Sequence, residues 1–219
     1  MILLIRHGEA EHHVKALTGG WTDSCLTADG KVQMEKLAAV LKKDFAGRKP
    51  PRLAASDLQR CQLGAAILKK ALGIKEMILF EALREKNNGK AAGKSVIAAK
   101  AFYHAPKTGR ELDHRNYDEG ERRREFYERT IDGIKDVLSG TEDLIIVAHK
   151  GSIQNILFYW MGYSIDEVAF KKVSFDIRPA SLTMIGINKW DEHAIFLLND
   201  LSYLRSDEKI GLFDFPIKR

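Results

Sequence analysis

Cysteine and proline are both scarce in this chain, and each scarcity excludes a class of protein. Two cysteines, Cys25 and Cys61, occur among 219 residues, and their spacing fits neither a disulfide framework nor a set of metal ligands. We expect both to be reduced, structural thiols. Five prolines and 17 glycines, without a repeat or a low-complexity tract, exclude collagen-like and proline-rich disordered chains.

Long hydrophobic runs are also missing. The longest, MILLI at 1–5 and LIIVA at 144–148, are far shorter than the roughly 18 to 20 residues that a membrane-spanning helix needs. Neither run has the flanks of a signal peptide. We therefore expect a cytoplasmic protein without a membrane partner.

The charged residues are balanced, with a small positive excess. There are 35 basic and 30 acidic residues, so the formal net charge is +5, and a cationic surface attracts anions from small phosphoesters to nucleic acids. Basic residues alternate with acidic ones and form no stripe interleaved with aromatic residues, so we expect no nucleic-acid partner. A length of 219 residues with 45% hydrophobic residues predicts one globular domain. The sequence predicts no oligomeric state.

Segments typical of strands and of helices alternate along the chain. Apolar runs predict strands at 1–5, 51–56, 76–80, 143–148, 181–187 and 194–199. Helical spacing and capping residues predict a helix from Thr27 to about 46, one from Ser56 and Asp57 to Leu72, one over 121–138, and one after Gly151. This alternation favours an α/β fold whose central sheet is mainly parallel, with helices on both faces.

Two stretches lack this regularity. Residues 7–26 predict a loop, and residues 84–120, rich in glycine and charge, predict an irregular excursion with one short helix near 95–103. We interpret 86–120 as an insert or lid on the single domain.

Polar residues follow four predicted strands, at the edge where ligands bind in parallel sheets. They include Arg6 and His7, Arg60 after Ser56-Asp57, Arg84 and Glu85, and His149 and Lys150. Taken singly, such a histidine is usually structural and such an arginine solvated. Together they predict a cationic pocket with one acid, which suits phosphate.

The chemistry of such a pocket follows from the residue types. Arginine matches phosphate oxygens with its planar fork, and a helix beginning at Lys150-Gly151-Ser152 offers backbone N–H groups. A neutral histidine can attack phosphorus. A carboxylic acid, for which Glu85 is the best-placed candidate, can protonate the leaving alcohol and later accept a proton from water. The cationic side chains supply the charge neutralisation that magnesium gives elsewhere, so we expect neither metal nor cofactor.

Several motifs resemble those of the histidine phosphatase superfamily, also called the phosphoglycerate mutase-like family. They occur in the family order over nearly the whole chain: RHGE at 6–9, GWTDSCLTADG at 20–30, SDLQR at 56–60, LREKNNGKAAG at 83–93, VAHKG at 147–151 and NDLSYL at 199–204.

The resemblance implies a three-layer α/β/α fold and a transient phosphohistidine on His7. It implies that Arg6, Arg60 and His149 hold the phosphoryl group and that Glu85 donates and accepts the proton. With the outer positions added, the candidate substrate-binding residues are Arg6, His13, Gly20, Arg60, His149 and Lys150.

The chain departs from the family pattern at several positions. His13 replaces the asparagine of many members, and Leu17 stands where the mutases often have arginine. Arg122 replaces a serine, either as part of a solvated helix face or as a contact for an acidic substrate. Lys150 replaces a small residue, and either points outward or adds a positive charge for a second acidic group on the substrate.

These features predict a metal-independent phosphomonoesterase that hydrolyses a small phosphorylated metabolite. The alternatives are phosphoryl transfer of the phosphoglycerate mutase type and a non-catalytic regulatory member of the fold. Leu17 and a chain shorter than the mutases argue against the first alternative, and the intact set of five core residues argues against the second.

Overall fold

The computed structural model describes residues 1–204 and contains one six-stranded sheet. Its strands are β1 (Ile2–Arg6), β2 (Arg52–Ser56), β3 (Ile78–Phe80), β4 (Leu144–Ala148), β5 (Leu182–Ile187) and β6 (His193–Asp200). The strand order is β3-β2-β4-β1-β5-β6. The first four strands of that order run parallel, β5 is antiparallel to β1, and β6 is antiparallel to β5. The predicted α/β fold with a mainly parallel sheet is confirmed.

Seven helices accompany the sheet in this part of the chain. They are α1 (Glu11–Val14), α2 (Ala28–Asp44), α3 (Gln59–Leu72), α4 (Val96–Ala99), α5 (Arg123–Leu138), α6 (Lys150–Trp160) and α7 (Ile165–Lys171). Helices α2 and α3 pack on one face of the sheet, and α5 and α6 on the other. This is the three-layer arrangement that the motifs imply. Within residues 1–204 no helix combines the length and apolar character needed to cross a bilayer.

Strand β1 shows why the apolar runs are continuous. Leu3 and Ile5 belong to the hydrophobic core beneath α2 and α3, whereas Ile2 and Leu4 belong to the core beneath α5 and α6. Successive side chains of a strand point to opposite faces, and both faces are covered here. The sequence of a strand in this position is therefore an unbroken run of apolar residues and does not alternate with polar ones.

Helix ends agree with the capping signals at two places and differ at a third. The Thr27 side chain caps α2 by accepting a hydrogen bond from Gly30 N at 2.9 Å. Gly73 ends α3 in the left-handed conformation, with φ 65°. Helix α3 begins at Gln59, later than predicted, because the Asp57 carboxylate pairs with Arg84 and does not cap the helix.

The excursion over 84–120 is irregular, as predicted, but it is tied to the rest of the molecule. Besides α4 it holds two 3-10 turns, Gly89–Ala91 and Lys100–Phe102. Leu17 pairs with Ser95 in an isolated bridge, and Leu112 is buried in a small hydrophobic cluster with residues of α6 and α7. The segment therefore has packed contacts at both of its ends.

Helices α1 and α7 differ from the prediction, which placed a loop over 7–26 and no helix near 165. Helix α1 has four residues, too few to show a helical period. Helix α7 carries a readable signal, since Ser164 and Glu167 form a reciprocal capping box.

The loop that follows β1 lies in close contact with the first turn of α2. A Cβ atom at Gly30 would lie 2.0 Å from the Glu9 carbonyl oxygen, and one at Gly8 would lie 2.3 Å from the Gly30 carbonyl oxygen. Both glycines are therefore required by the approach of two backbone segments. This contact fixes the loop that carries His7.

We expect Gly30→Ala to destabilise the protein by about 1–3 kcal/mol, because the new methyl group overpacks this contact. The sign of the change in the free energy of unfolding is informative, because a glycine-to-alanine substitution inside a helix ordinarily stabilises a protein by roughly 0.5–1 kcal/mol. Urea unfolding measures the change. The control is Lys31→Ala at the neighbouring exposed position, with an expected change within about 0.5 kcal/mol. A Gly30→Ala variant as stable as the parent would contradict the close contact.

Candidate active site

The carboxyl ends of three adjacent strands bring His7, Arg60 and His149 together. In the pairing of β1 with β4, Arg6 lies opposite Ala148, so the residues that follow, His7 and His149, leave the sheet side by side. Their ring centroids are 5.1 Å apart. His7 is 2% exposed, and Arg60 and His149 are each 1% exposed. The parallel register thus explains the histidine after each of the two strands.

His7 is held with one ring nitrogen free. Its Nδ1 lies 2.7 Å from the carbonyl oxygen of Gly8, and because a carbonyl can only accept, Nδ1 carries the proton. Nε2 has no hydrogen-bond partner among the described residues. Burial, followed by the effect of His149, Arg60 and Arg6, lowers the pKa of His7 well below its usual value. The ring is therefore neutral near pH 7, with the Nε2 lone pair available.

Arg60 is a buried cation held by backbone oxygens. Its Nη1 donates to Thr22 O at 2.6 Å, and its Nη2 donates to Gly20 O at 2.7 Å. Its Nε donates to Nδ1 of His149 at 3.3 Å. Burial lowers the pKa of Arg60, although a guanidinium stays protonated in proteins. Gly20, predicted to bind substrate, supplies one of these oxygens in a left-handed conformation with φ 63°.

Arg6 contributes a second cation and an unsatisfied donor. Its Nη1 donates to Ile177 O at 2.8 Å, and its Nη2 lies 3.0 Å from Nε2 of His13. Burial lowers the pKa of Arg6 to about 10, so the group is charged near pH 7. Arg6 Nε is buried without a partner in the part of the chain that the structure covers. A buried N–H without an acceptor is costly, and an oxyanion bound at this point would relieve that cost.

His149 is neutral, and both of its ring nitrogens are engaged. Nδ1 accepts from Arg60, so Nε2 carries the proton and donates to Ser56 Oγ at 2.9 Å. Burial and the nearby arginines lower the pKa of His149 well below its usual value. The positive charge of the pocket therefore comes from Arg6 and Arg60. The sequence places Ser56 at the same edge of the sheet and predicts a capping role for it, but does not predict its contact with His149.

Glu85 reaches the site from the loop after β3. Its Oε1 accepts from Lys86 N at 2.8 Å, and its Oε2 accepts from Gly151 N at 2.9 Å. A Cβ atom at Gly151 would lie 2.2 Å from Glu85 Oε1 and 2.8 Å from the Phe126 ring. Glycine after the second histidine therefore makes room for this carboxylate.

Three further side chains hold the loop that carries Glu85. Trp21 Nε1 donates to Glu85 O at 2.8 Å. Arg129 forms a two-point ion pair with Glu121, at 2.8 Å and 2.9 Å, and Glu121 also accepts from Asn87 N at 3.0 Å. The position of the acid therefore depends on Trp21 of the 20–30 motif and on the ion pair of Arg129 with Glu121.

His12 and His13 form the outer wall beside His7. The His13 ring is nearly parallel to that of His7, with centroids 5.7 Å apart and an angle of 15°. His12 is buried and bonds Ser24 Oγ at 2.7 Å. Burial and nearby positive charge lower the pKa of His12 to about 4 and that of His13 to about 3. Both rings are neutral near pH 7.

Lys150 and Arg122, the two charged residues that depart from the family pattern, have different surroundings in the structure. Lys150 forms an ion pair with Asp176 and lines a cavity beside Glu85. Arg122 pairs with Glu125, with Nη1 and Oε1 3.7 Å apart, and does not line that cavity. The next residue, Arg123, does. The sequence singled out Arg122 and missed Arg123.

Potential metal ligands do not cluster here: no group of three or more His, Cys, Asp or Glu that could hold a metal ion occurs within residues 1–204. A cavity of about 580 Å³ lies at the opposite end of the sheet, lined by residues such as Met1, Ser139 and His193. It contains none of the strand-end residues described above.

Comparison with known proteins identifies relatives of this arrangement. The model of the histidine phosphatase superfamily (branch 1) matches residues 2–200. A broad-specificity phosphatase of Saccharomyces cerevisiae is 30% identical over 195 residues, which cover 86% of this chain and 80% of that protein. A 2,3-bisphosphoglycerate-dependent phosphoglycerate mutase of Bartonella bacilliformis is 26% identical over 188 residues, covering 79% and 87%.

A solved structure shares the fold. The α-ribazole phosphatase from Shigella flexneri superposes with a TM-score of 0.73 at 19% identity, covering 91% of this chain and 96% of that chain. The three-layer architecture is therefore that of a known fold.

The neutral histidines predict a pH dependence of stability. Because the folded-state pKa values of His7, His12, His13 and His149 are lowered, the unfolded chain binds more protons as the pH falls below about 6.5. The free energy of unfolding should therefore decrease from about pH 6.5 towards pH 4.

The variant His13→Asn removes one of these titrating groups and keeps a polar side chain, whose amide oxygen can accept a hydrogen bond. We expect the free energy of unfolding of this variant to fall less steeply over the same range. The difference between the slopes of the two proteins should correspond to at most one bound proton. Urea unfolding at several pH values measures both slopes. Equal slopes would mean that His13 has the same pKa in the folded and unfolded chains and would contradict the lowered value.

Proposed function

Since this chain belongs to the histidine phosphatase superfamily (branch 1) and is a phosphatase, we propose that it hydrolyses a small phosphorylated metabolite through a phosphohistidine on His7, without a metal ion. The observation that carries the proposal is the state of His7. Its ring is neutral, Nδ1 donates to Gly8 O, Nε2 has no hydrogen-bond partner among the described residues, and the positive charges of the buried Arg60 and the partly exposed Arg6 act on the ring. A nucleophile directed at an anionic centre requires this combination of a lone pair and nearby positive charge.

The first step transfers the phosphoryl group to the enzyme. Nε2 of His7 attacks phosphorus, the N–P bond forms, and the bond from phosphorus to the ester oxygen breaks. Glu85, acting as the general acid, gives a proton to the leaving alcohol. Arg6 and Arg60 neutralise the oxygens of the transferring group, for which the orphaned Nε of Arg6 supplies one donor.

The second step restores the enzyme. Water attacks the phosphorus of phosphohistidine, Glu85 takes a proton from the water, and the N–P bond breaks to release inorganic phosphate. His7 returns to the neutral Nδ1–H form. His149 bridges Arg60 and Ser56, so its role in both steps is to hold Arg60 and shape the wall next to the nucleophile.

Hydrolysis is favoured over mutase chemistry by the outer part of the site. A mutase must retain the phosphoenzyme and hold a carboxylated three-carbon substrate in two orientations. At the position where mutases often have arginine, Leu17 bridges to Ser95 in this chain and adds no charge. The broad-specificity phosphatase of Saccharomyces cerevisiae among the relatives supports the same choice.

We propose a small-molecule substrate in the cytoplasm, with neither nucleic acid nor membrane as partner and with residues 86–120 as an insert of the same domain. Cys25 and Cys61 are both free thiols, which fits a reducing compartment.

Rapid acid and base quenching with a radiolabelled phosphoester tests the proposed function. We expect a protein-bound phosphoryl group that survives base and is lost in acid, and that is absent in His7→Ala. Hydrolysis should continue at the same rate in excess EDTA. With 3-phosphoglycerate, release of inorganic phosphate supports hydrolysis, whereas formation of the 2-isomer would replace the proposal with a mutase. Equal turnover by His7→Ala would exclude the phosphohistidine.

Glu85→Gln tests the proton donor through the leaving group. Glutamine keeps the size of the side chain but cannot donate a proton as an acid. General acid catalysis contributes roughly 10² to 10⁴-fold, so we expect kcat/KM on an alkyl phosphate, which reports the first step without the common second step, to fall by about 10²-fold or more. The loss on p-nitrophenyl phosphate should be much smaller, because nitrophenolate leaves without protonation. Equal losses on the two substrates would remove Glu85 from this role.

A further inference from the structure

A cavity of about 330 Å³ opens directly beside Glu85. Its volume is at the lower end of the range for small-molecule pockets. It is lined by Glu85, Lys86, Arg123, Phe126, Lys150, Gly151, Gln154, Asn155 and Phe158. Because Glu85 protonates the ester oxygen in the proposed reaction, a cavity adjoining this carboxylate is where the alcohol part of the substrate would lie.

Arg123 is an unpaired cation in this cavity. It is half-buried, and its side chain has neither a hydrogen bond nor an ion pair with any of residues 1–204. Its neighbours in sequence behave differently: Arg122 pairs with Glu125, and Arg124 pairs with Asp113 and Asp166. Burial lowers the pKa of Arg123, with no carboxylate to offset it. A partly desolvated guanidinium without an acceptor is unfavourable until an anion binds.

Lys86 is a second cation with a neutral partner. Its Nζ donates to Asn116 Oδ1 at 3.1 Å, and no carboxylate forms an ion pair with it in the described part of the chain. Burial is the main cause that lowers the pKa of Lys86; Glu121 opposes it, the positive charge of Arg123 lowers the pKa again, and Glu85 and Glu125 oppose it more weakly. Two like charges therefore face one cavity, and an anion between them would relieve their repulsion.

Lys150 completes the positive wall but is already compensated. It pairs with Asp176, and both side chains are about half exposed. Within residues 1–204 Glu85 is the one carboxylate that lines the cavity, and its oxygens are occupied by the N–H groups of Lys86 and Gly151. The cavity thus has an excess of positive charge that the protein does not neutralise.

We propose that this cavity, the leaving-group pocket (Lys86, Arg123 and Lys150 around Phe126 and Phe158), binds a second anionic group on the alcohol part of the substrate. The group is a carboxylate or a second phosphate, since the guanidinium fork of Arg123 matches both. The substrate class is then a phosphomonoester of a small acidic alcohol. The proposal rests on the proposed function for the placement of the phosphoryl group at His7.

The most informative variant is Arg123→Gln. Its matched control is Arg122→Gln, because the two arginines are adjacent in sequence and only Arg123 lines the pocket. Two substrate pairs isolate the second charge. For a carboxylate, 3-phosphoglycerate is compared with glycerol 3-phosphate. For a second phosphate, propane-1,3-diol bisphosphate is compared with the monophosphate. The pair that shows the larger preference identifies the group.

The wild type should prefer the doubly anionic member of at least one pair, expressed as the ratio of kcat/KM values. We expect Arg123→Gln to lower this ratio about tenfold or more, mainly through KM, because a charge-assisted hydrogen bond is lost. Arg123→Lys should restore part of the ratio, and Arg122→Gln should leave it near the wild-type value. A comparable change in the ratio for both glutamine variants, or no preference in the wild type, would overturn the pocket.

The experiment distinguishes a failure of the proposed pocket from a failure of the proposed function. A wild type that hydrolyses glycerol 3-phosphate and lacks the preference contradicts the pocket alone. A wild type that hydrolyses no phosphoester contradicts the function. In that case the pocket is decided by calorimetric binding of 3-phosphoglycerate and of the bisphosphate to His7→Ala. Arg123→Gln in the same background should weaken at least one of them about tenfold, and unchanged affinity for both would overturn the pocket.

Discussion

The burial of the Arg60 guanidinium without a carboxylate organises the rim of this site. A buried cation needs acceptors, and a carboxylate would cancel the charge that a phosphoryl group requires. In this chain the acceptors for the Arg60 guanidinium are neutral: Gly20 O, Thr22 O and Nδ1 of His149. The left-handed conformation at Gly20 contributes to this arrangement, because it directs the Gly20 carbonyl oxygen towards the Arg60 guanidinium.

Several features of the rim follow from this contact. The turn that carries Gly20 also carries Trp21, whose indole N–H holds the backbone of Glu85. The acceptor on His149 fixes the tautomer of that ring, and the tautomer in turn fixes the contact with Ser56. The positions of the acid and of the second histidine thus depend on one buried arginine.

Part of this could be predicted from the sequence, because the apolar runs before His7 and His149 predict buried strands of a mainly parallel sheet, and residues that follow such strands lie at one edge of it. That the two strands are neighbours, with Arg6 opposite Ala148, is seen only in the structure. The roles inside the site were less accessible. That His149 is neutral, and that Ser56 contacts it, depends on contacts between residues 93 apart in sequence, which no local pattern records.

The charged helix start at 121–124 shows a different limit of sequence reasoning. Three consecutive arginines are equivalent in composition, and only the rotation of α5 decides which one faces Glu85. In the fold, Arg122 turns to Glu125 of its own helix, Arg124 turns to Asp166 of α7, and Arg123 turns to the cavity. Arg122 precedes the helix as its N-cap, with an extended backbone. Arg123 and Arg124 are successive helical residues, about 100° apart around the axis, so one lines the pocket and the other forms an ion pair.

The histidines of the site carry little charge, and this has a consequence for how the pocket recognises anions. Four rings, those of His7, His12, His13 and His149, are held neutral by burial and by the positive arginines. The charge that attracts phosphate therefore lies on guanidinium groups that do not titrate in the physiological range, while the nucleophile keeps its lone pair. A site that used protonated histidines for binding would lose either its charge or its nucleophile as the pH changed. Here the two requirements are assigned to different side chains, and both are met at the same pH.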